Sequence, residues 1–157
     1  MKGMTVIVKT VSSWVKVLIF LFGIYIVLFG HLTPGGGFAG GVILASCYVL
    51  LMLAFGREFV QKDLPLALDS KLDCVGAFAF VVIAALGFAF GGVFFVNFLH
   101  QTGWAQEYVQ SGPLRLLSAG TIPLSNIAIG LKVGASLFLV IFFLSVFRFD
   151  VSGNKEE

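Results

Sequence analysis

Lys132 is the residue whose type and position most suggest chemistry, because it interrupts a long apolar run near the end of the sequence. Ser125 lies seven residues before it and Ser136 four residues after it, so the three fall on one face of a helix. If this run spans a membrane, an ionisable residue inside it indicates a role in ion or proton transfer. The alternative is that the long stem of Lys132 carries its ammonium group to the membrane surface.

His31 is the second candidate, and it stands between an apolar run and a glycine-rich segment. A histidine can exchange protons with water near neutral pH, so it could serve the same path as Lys132. The alternative is a turn histidine that caps helix carbonyls. We expect His31 at the outer end of its span, close in depth to Lys132. The candidate ion-path residues are therefore His31, Ser125, Lys132 and Ser136.

Other kinds of site find no support in the sequence pattern. There is no phosphate-binding loop, no Ser-His-Asp order and no Cys/His cluster, and Cys47 and Cys74 lack the spacing of metal ligands. We expect no catalytic residue, no metal ligand and no cofactor in this chain. All Asp and Glu residues are expected outside the spans, so an acidic partner for Lys132 would have to come from another chain. The net charge of +2 is too small to indicate nucleic-acid binding.

Composition places the chain in the membrane. Hydrophobic residues make up 59% and charged residues 11% of its 157 residues, whereas soluble domains carry about 25% charged residues. Each bilayer span needs about 20 mostly apolar residues. The sequence predicts an all-α bundle of four transmembrane helices in a single domain over 1–157. The predicted spans are Val11–Gly30, Pro34–Phe55, Val75–Phe98 and Ser125–Phe147.

Glycines recur at helical spacing in two of these spans. Gly36 and Gly40 are one turn apart, as are Gly37 and Gly41, and Gly130 and Gly134 repeat the spacing in the fourth span. Such rows lack side chains and allow another helix backbone to approach closely. We therefore assign helix packing to all six glycines. Thr33 and Pro34 are typical of a helix start, which predicts that the second helix begins at Pro34.

Basic residues predict the orientation and the character of the connections. With four spans, both termini share a side with the connection Gly56–Asp73, which we expect to be solvated with a turn at Pro65. Eight basic residues fall on that side and one, Arg115, on the other, so both termini are predicted to be cytoplasmic. The connection Leu99–Leu124 is broken by Gly and Pro but partly apolar, and we expect it at the outer surface. The eight residues are Lys2, Lys9, Lys16, Arg57, Lys62, Lys71, Arg148 and Lys155.

Two segments carry a resemblance to a known family. The segment GHLTPGGGFAGG, at Gly30–Gly41, resembles the signature of the MnhB/MrpB family, the B subunit of Mrp-type sodium/proton antiporters. The segment GTIPLSNIAIGLKVGA, at Gly120–Ala135, is similar to a later part of the same family. The domain also recurs in membrane-bound hydrogenase and sulfane-reductase complexes. Many B subunits of stand-alone antiporters carry an acidic residue in the fourth span, and the lysine version resembles the hydrogenase-associated branch more closely.

The resemblance implies an accessory subunit in the cell membrane. Its implied partners are the other membrane subunits of an Mrp-type antiporter or of a membrane-bound hydrogenase, the lipid bilayer, and Na⁺ or H⁺. It also implies that any redox chemistry lies in other subunits. On this interpretation the subunit contributes to assembly and to an ion path on the outer side. The alternative is a purely structural subunit with no ion-path residues. In either case we expect Gly37→Leu or Gly41→Leu to impair assembly more than folding of the chain.

We predict that single cysteines at the two tails react only from the cytoplasmic side, and that a cysteine at position 110 reacts from outside. The reason is the eight-to-one distribution of basic residues. The measurement is labelling of intact cells with a membrane-impermeant thiol reagent, after Cys47 and Cys74 have been replaced by alanine. Labelled tails with a protected position 110 would reverse the topology.

Overall fold

The computed structural model describes residues 4–101 and 119–153, with side chains for 4–99 and 119–147. This part of the chain is helical and contains no strand. Four helices are long and apolar enough to cross a membrane, which confirms the predicted four-span all-α class. The helices are α1 Val6–Phe29, α2 Gly36–Phe55, α3 Arg57–Asp63, α4 Leu66–Gly91, α5 Phe98–Gln101 and α6 Ile122–Gly153.

The four long helices pack in the spatial order α1, α2, α6, α4. Helix α2 packs along both α1 and α6, and α4 packs along the other side of α6. Helix α6 therefore lies between α2 and α4. The outer surfaces of α1 and α4 expose large apolar side chains, including Trp14, Phe22, Phe78 and Phe88. Such surfaces suit lipid or other membrane helices.

Helix α4 begins nine residues earlier than the sequence predicted. It starts at Leu66, directly after Pro65, whose carbonyl accepts hydrogen bonds from the backbone N–H groups of Leu68 and Asp69. The expectation that all acidic residues lie outside the spans is therefore wrong, because Asp69 and Asp73 both belong to α4. The sequence reading treated these charges as the end of a solvated connection, but the helix continues through them.

The end of α4 also differs from the prediction. The helix ends at Gly91 rather than at Phe98, and the following residue, Gly92, has a φ of +73°. Its N–H donates to the carbonyl of Phe88, as in a glycine-terminated helix. The glycine supplies the left-handed conformation that stops the helix before the apolar sequence ends.

The connection between α2 and α4 is not simply solvated, because it contains helix α3. Val60 of α3 is fully buried and Leu64 nearly so. Both join a core cluster with Leu51 of α2 and with Phe138 and Phe142 of α6. Helix α3 thus lies across one end of α2 and α6 with its apolar side inward and covers the core there.

The start of α2 does not use the cap that the sequence predicted. The helix begins at Gly36, and the Thr33 hydroxyl donates backward to the carbonyl of Phe29 at 3.0 Å. The first turn of α2 is instead capped by another helix. The side-chain oxygen of Asn126 in α6 accepts a hydrogen bond from the Gly37 N–H at 3.3 Å. The prediction that Thr33 caps the helix and Pro34 begins it is therefore wrong.

The beginning of α6 is held by the segment that follows α4. The Asn97 amide group donates to the Ala119 carbonyl at 2.9 Å, and its oxygen accepts from the Thr121 N–H at 3.0 Å. Gly120, with a φ of +68°, lies so close to Asn97 that any Cβ there would overlap it. Within the predicted outer connection, residues 102–118 lie outside the described part, and with them Trp104, Tyr108, Arg115, Leu114, Leu116 and Leu117.

The glycine rows lie against helices of the same chain. A methyl group on Gly37 would come within 2.3 Å of the Asn126 carbonyl, and one on Gly41 within 2.8 Å of the Gly130 carbonyl. Gly40 faces α1, where a methyl group would lie 2.4 Å from the Val27 side chain. Helix α2 can therefore contact α6 and α1 at backbone distance only because these residues are glycines.

The other three glycines differ in how closely they are packed. A methyl group on Gly130 would meet Val27 of α1 at 2.7 Å. Gly134 has its nearest neighbour, the Gly41 carbonyl, at an ordinary 3.5 Å, and Gly36 has the Asn126 oxygen at 3.6 Å. Because the closest contacts are within the chain, we expect substitutions in this row to affect folding of the chain itself, rather than mainly its assembly.

We predict that Gly37→Ala and Gly41→Ala lower the stability of the purified chain, whereas Gly134→Ala changes it little. The first two methyl groups would press on backbone of α6, and such overpacking costs about 1–3 kcal/mol. Gly134→Ala is a matched control because it adds a methyl group between the same two helices, where its nearest neighbour lies at an ordinary contact distance of 3.5 Å. The measurement is thermal unfolding in detergent or nanodiscs. Equal melting temperatures for all three variants would contradict the close contact.

Candidate functional site

The site around Lys132 is formed where α4 and α6 touch at backbone distance. A methyl group on Gly76 of α4 would come within 2.7 Å of the Lys132 backbone nitrogen and 3.0 Å of the Ala128 carbonyl. This approach brings Asp73, three residues before Gly76, against the side chain of Lys132. Gly76 was not singled out in the sequence, although its glycine type in an apolar segment is the signal that could have found it.

Lys132 forms an ion pair with Asp73 inside the bundle. Its Nζ lies 2.5 Å from Asp73 Oδ1 and 3.1 Å from the Ser136 hydroxyl oxygen. The Ser136 hydroxyl also hydrogen-bonds to Asp73 Oδ1. The three side chains therefore form a closed polar cluster, the Asp73–Lys132–Ser136 triad. The expectation that an acidic partner for Lys132 must come from another chain is wrong, because α4 supplies it.

The triad lies within α4 and α6, away from the ends of both helices. Lys132 follows the first residue of α6 by ten residues, which is about 15 Å at the rise of an α-helix. The side chains of Lys132 and Asp73 are 42% and 24% exposed within this chain. Asp73 follows the first residue of α4 by seven residues, or about 10 Å. The ion pair thus lies on the seam between two helices that are long and apolar enough to cross a membrane, and it can be reached from outside the chain by lipid, water or another subunit.

Ser125 and His31 occupy other positions. The Ser125 hydroxyl donates to the Thr121 carbonyl at 3.2 Å, in the preceding turn of α6. His31 lies in the turn between α1 and α2, six residues before Gly37, whose N–H donates to Asn126 of α6. Asn126 precedes Lys132 by six residues, or about 9 Å along α6. Of the candidate ion-path residues, the structure therefore brings Lys132 and Ser136 together, and it places Ser125 and His31 nearer the start of α6.

Asp69, one turn before Asp73, was missed by the sequence reading. Its side chain is 2% exposed, and its Oδ2 has no hydrogen-bond partner within the described part of the chain. It lines a cavity of about 240 Å³ together with Phe20 of α1, Tyr48 of α2 and Phe138 of α6. The signal was its spacing of four residues from Asp73, which puts both carboxylates on one face of α4.

A second ion pair lies on the α1 side of this cavity. Lys16 Nζ is 2.9 Å from Asp63 Oδ2, at the end of α3. The same ammonium group lies 5.5 Å from the ring centroid of Tyr48, a cation–π contact. The charge of Lys16 is therefore directed to protein groups. Tyr48 thus stands between Lys16 and the cavity that holds Asp69.

Comparison with known proteins decides the family. A family model described as "Domain related to MnhB subunit of Na+/H+ antiporter" matches residues 7–139, which is most of the chain. The chain belongs to the MnhB family. This confirms the resemblance seen in the two glycine-containing segments. The residues of the Asp73–Lys132–Ser136 triad and Asp69 lie within the part of this chain that matches the family model.

Individual relatives support the same assignment. The chain is 37% identical over 145 residues to an uncharacterized protein of Methanocaldococcus jannaschii, covering 90% of this chain and 52% of that protein. The chain therefore spans about half the length of this archaeal relative. It is 34% identical over 145 residues to a protein of Staphylococcus haemolyticus named antiporter subunit mnhB2, covering 92% of this chain and 97% of that one. A Staphylococcus epidermidis protein of the same name is 38% identical over 102 residues, covering 65% and 69%.

We predict that Lys132→Met destabilises the chain more than the double variant Lys132→Met with Asp73→Asn. Removing one member of the ion pair leaves the other charge without its partner, whereas removing both avoids this. Because the two side chains are 42% and 24% exposed, the cost is lower than the roughly 3–5 kcal/mol of a fully buried pair. The measurement is thermal unfolding of the purified chain in nanodiscs, treated as a double-mutant cycle. Lys71→Met is the control, because it makes the same change at an exposed position of α4. Additive losses in the double variant would show that the pair contributes no coupling.

Proposed function

We propose that this chain is an accessory membrane subunit of a multi-subunit Mrp-type cation (Na⁺)/proton antiporter. Its membership of the MnhB family and the antiporter-subunit names of its staphylococcal relatives support this role. Four membrane-spanning helices with large exposed apolar surfaces suit a protein that is surrounded by lipid and other membrane subunits. The partners are accordingly the remaining antiporter subunits, with Na⁺ and H⁺ as the transported ions.

The subunit contributes part of an ion path at the α4–α6 seam, and the observation that carries this proposal is the Asp73–Lys132–Ser136 triad. Ionisable residues within membrane-spanning helices are costly to place in the bilayer, and such residues usually mark ion or proton routes. One oxygen of Asp73 is already held by both Lys132 and Ser136. A sodium ion or a proton that binds this oxygen therefore competes with the lysine ammonium. Competition of this kind links occupancy by one ion to release of another.

The complex to which the subunit belongs can also be redox-driven. The NIAIGLKVG segment, which contains Lys132, resembles the hydrogenase-associated branch of the family more than the stand-alone antiporters. In such a complex the redox reaction takes place in other subunits, and this chain serves the ion-translocating membrane part. The subunits that co-purify with the native complex test this assignment. An iron–sulfur or nickel-binding partner supports the redox-driven branch, and its absence from an active complex supports the stand-alone antiporter.

A structural subunit without an ion path is the second candidate function. It is favoured by the fact that the triad satisfies its own charges within the chain. On this view Asp73 and Lys132 only hold α4 against α6. The two functions differ in what happens to transport when the chain remains folded and assembled but the lysine changes.

We predict that Lys132→Met reduces sodium-dependent proton movement by more than about tenfold, that is by more than about 1.4 kcal/mol, because it removes the ammonium group that competes with the transported ion for Asp73. Lys132→Arg should restore part of the rate, since guanidinium can pair with Asp73 but cannot release its proton. The measurement uses vesicles that contain the whole complex, with rates normalised to assembled complex. Lys71→Met is the matched control.

Wild-type transport in assembled Lys132→Met complexes would exclude the ion path and leave the structural function. Full activity of Lys132→Arg together with loss in Lys132→Met would mean that the positive charge is needed and its proton transfer is not.

A further inference from the structure

We propose that Asp69 is a proton-binding site, and that its proton serves the triad, which begins one helical turn further along α4 at Asp73. Asp69 lies one helical turn before Asp73 on α4, so the two carboxylates fall on the same side of the helix. The proposal goes beyond the ion path at Lys132 but rests on it for its transport role. The ligand is a proton, delivered by water, and binding converts the Asp69 carboxylate to a neutral carboxyl group without any covalent change elsewhere.

The first argument is the burial of Asp69 without a partner. Its side chain is 2% exposed and its Oδ2 has no hydrogen-bond partner among the described residues. Lys132 is paired with Asp73, so its positive charge is not available to neutralise Asp69. A buried carboxylate that lacks a cation or hydrogen-bond donors is strongly disfavoured, and binding of a proton removes its charge.

The second argument is the set of charged and titratable groups that face the cavity. From α4 it is Asp69 itself, while Asp73 and Lys132 lie outside the cavity lining and are paired with each other. From α2 it is Tyr48, and behind Tyr48 lies Lys16 of α1, which is paired with Asp63 at the end of α3. Lys16 and Lys132 therefore each have a carboxylate as partner. Among the described residues, Asp69 has no lysine as partner.

The third argument concerns the identity of the ligand. The cavity has a volume of about 240 Å³. Among the side chains that line it, Asp69 and Tyr48 alone carry oxygen, and the others are apolar or glycine. Hard metal cations require several oxygen ligands, which these walls do not supply. A proton needs one acceptor, so the site suits a proton rather than a sodium ion.

The position of the site connects the two ion pairs. Asp69 shares its cavity with Tyr48, which contacts Lys16, while Asp73 contacts Lys132 one turn further along α4. A proton on Asp69 therefore lies between the Lys16–Asp63 pair and the triad. When the lysine of the triad moves away from Asp73, this neutral carboxyl is the neighbouring group on α4 that can release a proton.

The test is infrared spectroscopy of the whole complex in lipid at neutral pH. We expect wild type to show the C=O stretch of a protonated carboxyl group that disappears in Asp69→Asn, with an intensity of one group per copy of this chain. The control is Glu58→Gln, which changes an exposed carboxyl of α3 and should leave the band intact. The band should also shift after exchange into heavy water, because deuterium then replaces the carboxyl proton.

A second measurement uses dicyclohexylcarbodiimide, a reagent that modifies protonated carboxyl groups in apolar surroundings. We expect an adduct on the Asp69 peptide that declines as the pH is raised, with none on Asp73. An infrared band that persists in Asp69→Asn, or an ionised Asp69 held by a group of a neighbouring subunit, would overturn the proposal. These readings do not depend on transport. If the band is lost in Asp69→Asn while Lys132→Met complexes transport normally, the proton site stands and the ion path through Lys132 fails.

Discussion

The arrangement depends on one constraint, that a lysine in the middle of an apolar helix must find an acceptor inside the protein. For Lys132 this acceptor is Asp73, whose Oδ1 lies 2.5 Å from the Lys132 Nζ. The acceptor can reach it because Gly76 allows α4 to touch the Lys132 backbone. It also requires that α4 begin at Leu66, so that Asp73 is already helical and points across the seam. The early start of α4, the glycine contact and the ion pair are therefore parts of one solution.

Helix α6 is fixed from both sides by contacts of this kind. On one side, Gly41 of α2 packs closely against the backbone of Gly130, and on the other side Gly76 of α4 packs closely against the backbone of Lys132. At the start of α6, Asn126 also caps the first turn of α2 through the Gly37 N–H. Because hydrocarbon gives helices little hydrophobic reason to associate, close backbone packing and interhelical polar contacts must hold the bundle together. The position of Lys132 within the bundle thus follows from its neighbours on two helices.

The sequence was sufficient for features that depend on nearby residues. Apolar runs predicted the four spans, glycine spacing predicted the close helix faces, and the interval of four residues paired Lys132 with Ser136. It failed where the partner is far along the chain. Asp73 lies 59 residues from Lys132, and Asn126 lies 89 residues from the helix start that it caps. A rule that treats every charge as the edge of a span excludes a carboxylate whose lysine partner is supplied by another helix.

Asp69 and Asp73 show how one helix can give two carboxylates different properties. They are one turn apart on α4, but Asp73 meets the ammonium and hydroxyl groups of α6, whereas Asp69 meets an apolar cavity with a single tyrosine. Carboxylates whose surroundings differ in this way are used elsewhere in proteins to separate an ionised from a protonated role. On the proposed ion path, a sodium ion that binds Asp73 Oδ1 would compete with the Lys132 ammonium and the Ser136 hydroxyl that already contact this oxygen. A proton bound to Asp69 would then lie within one helical turn of that exchange, which is the arrangement that antiport of two ions through this seam would require.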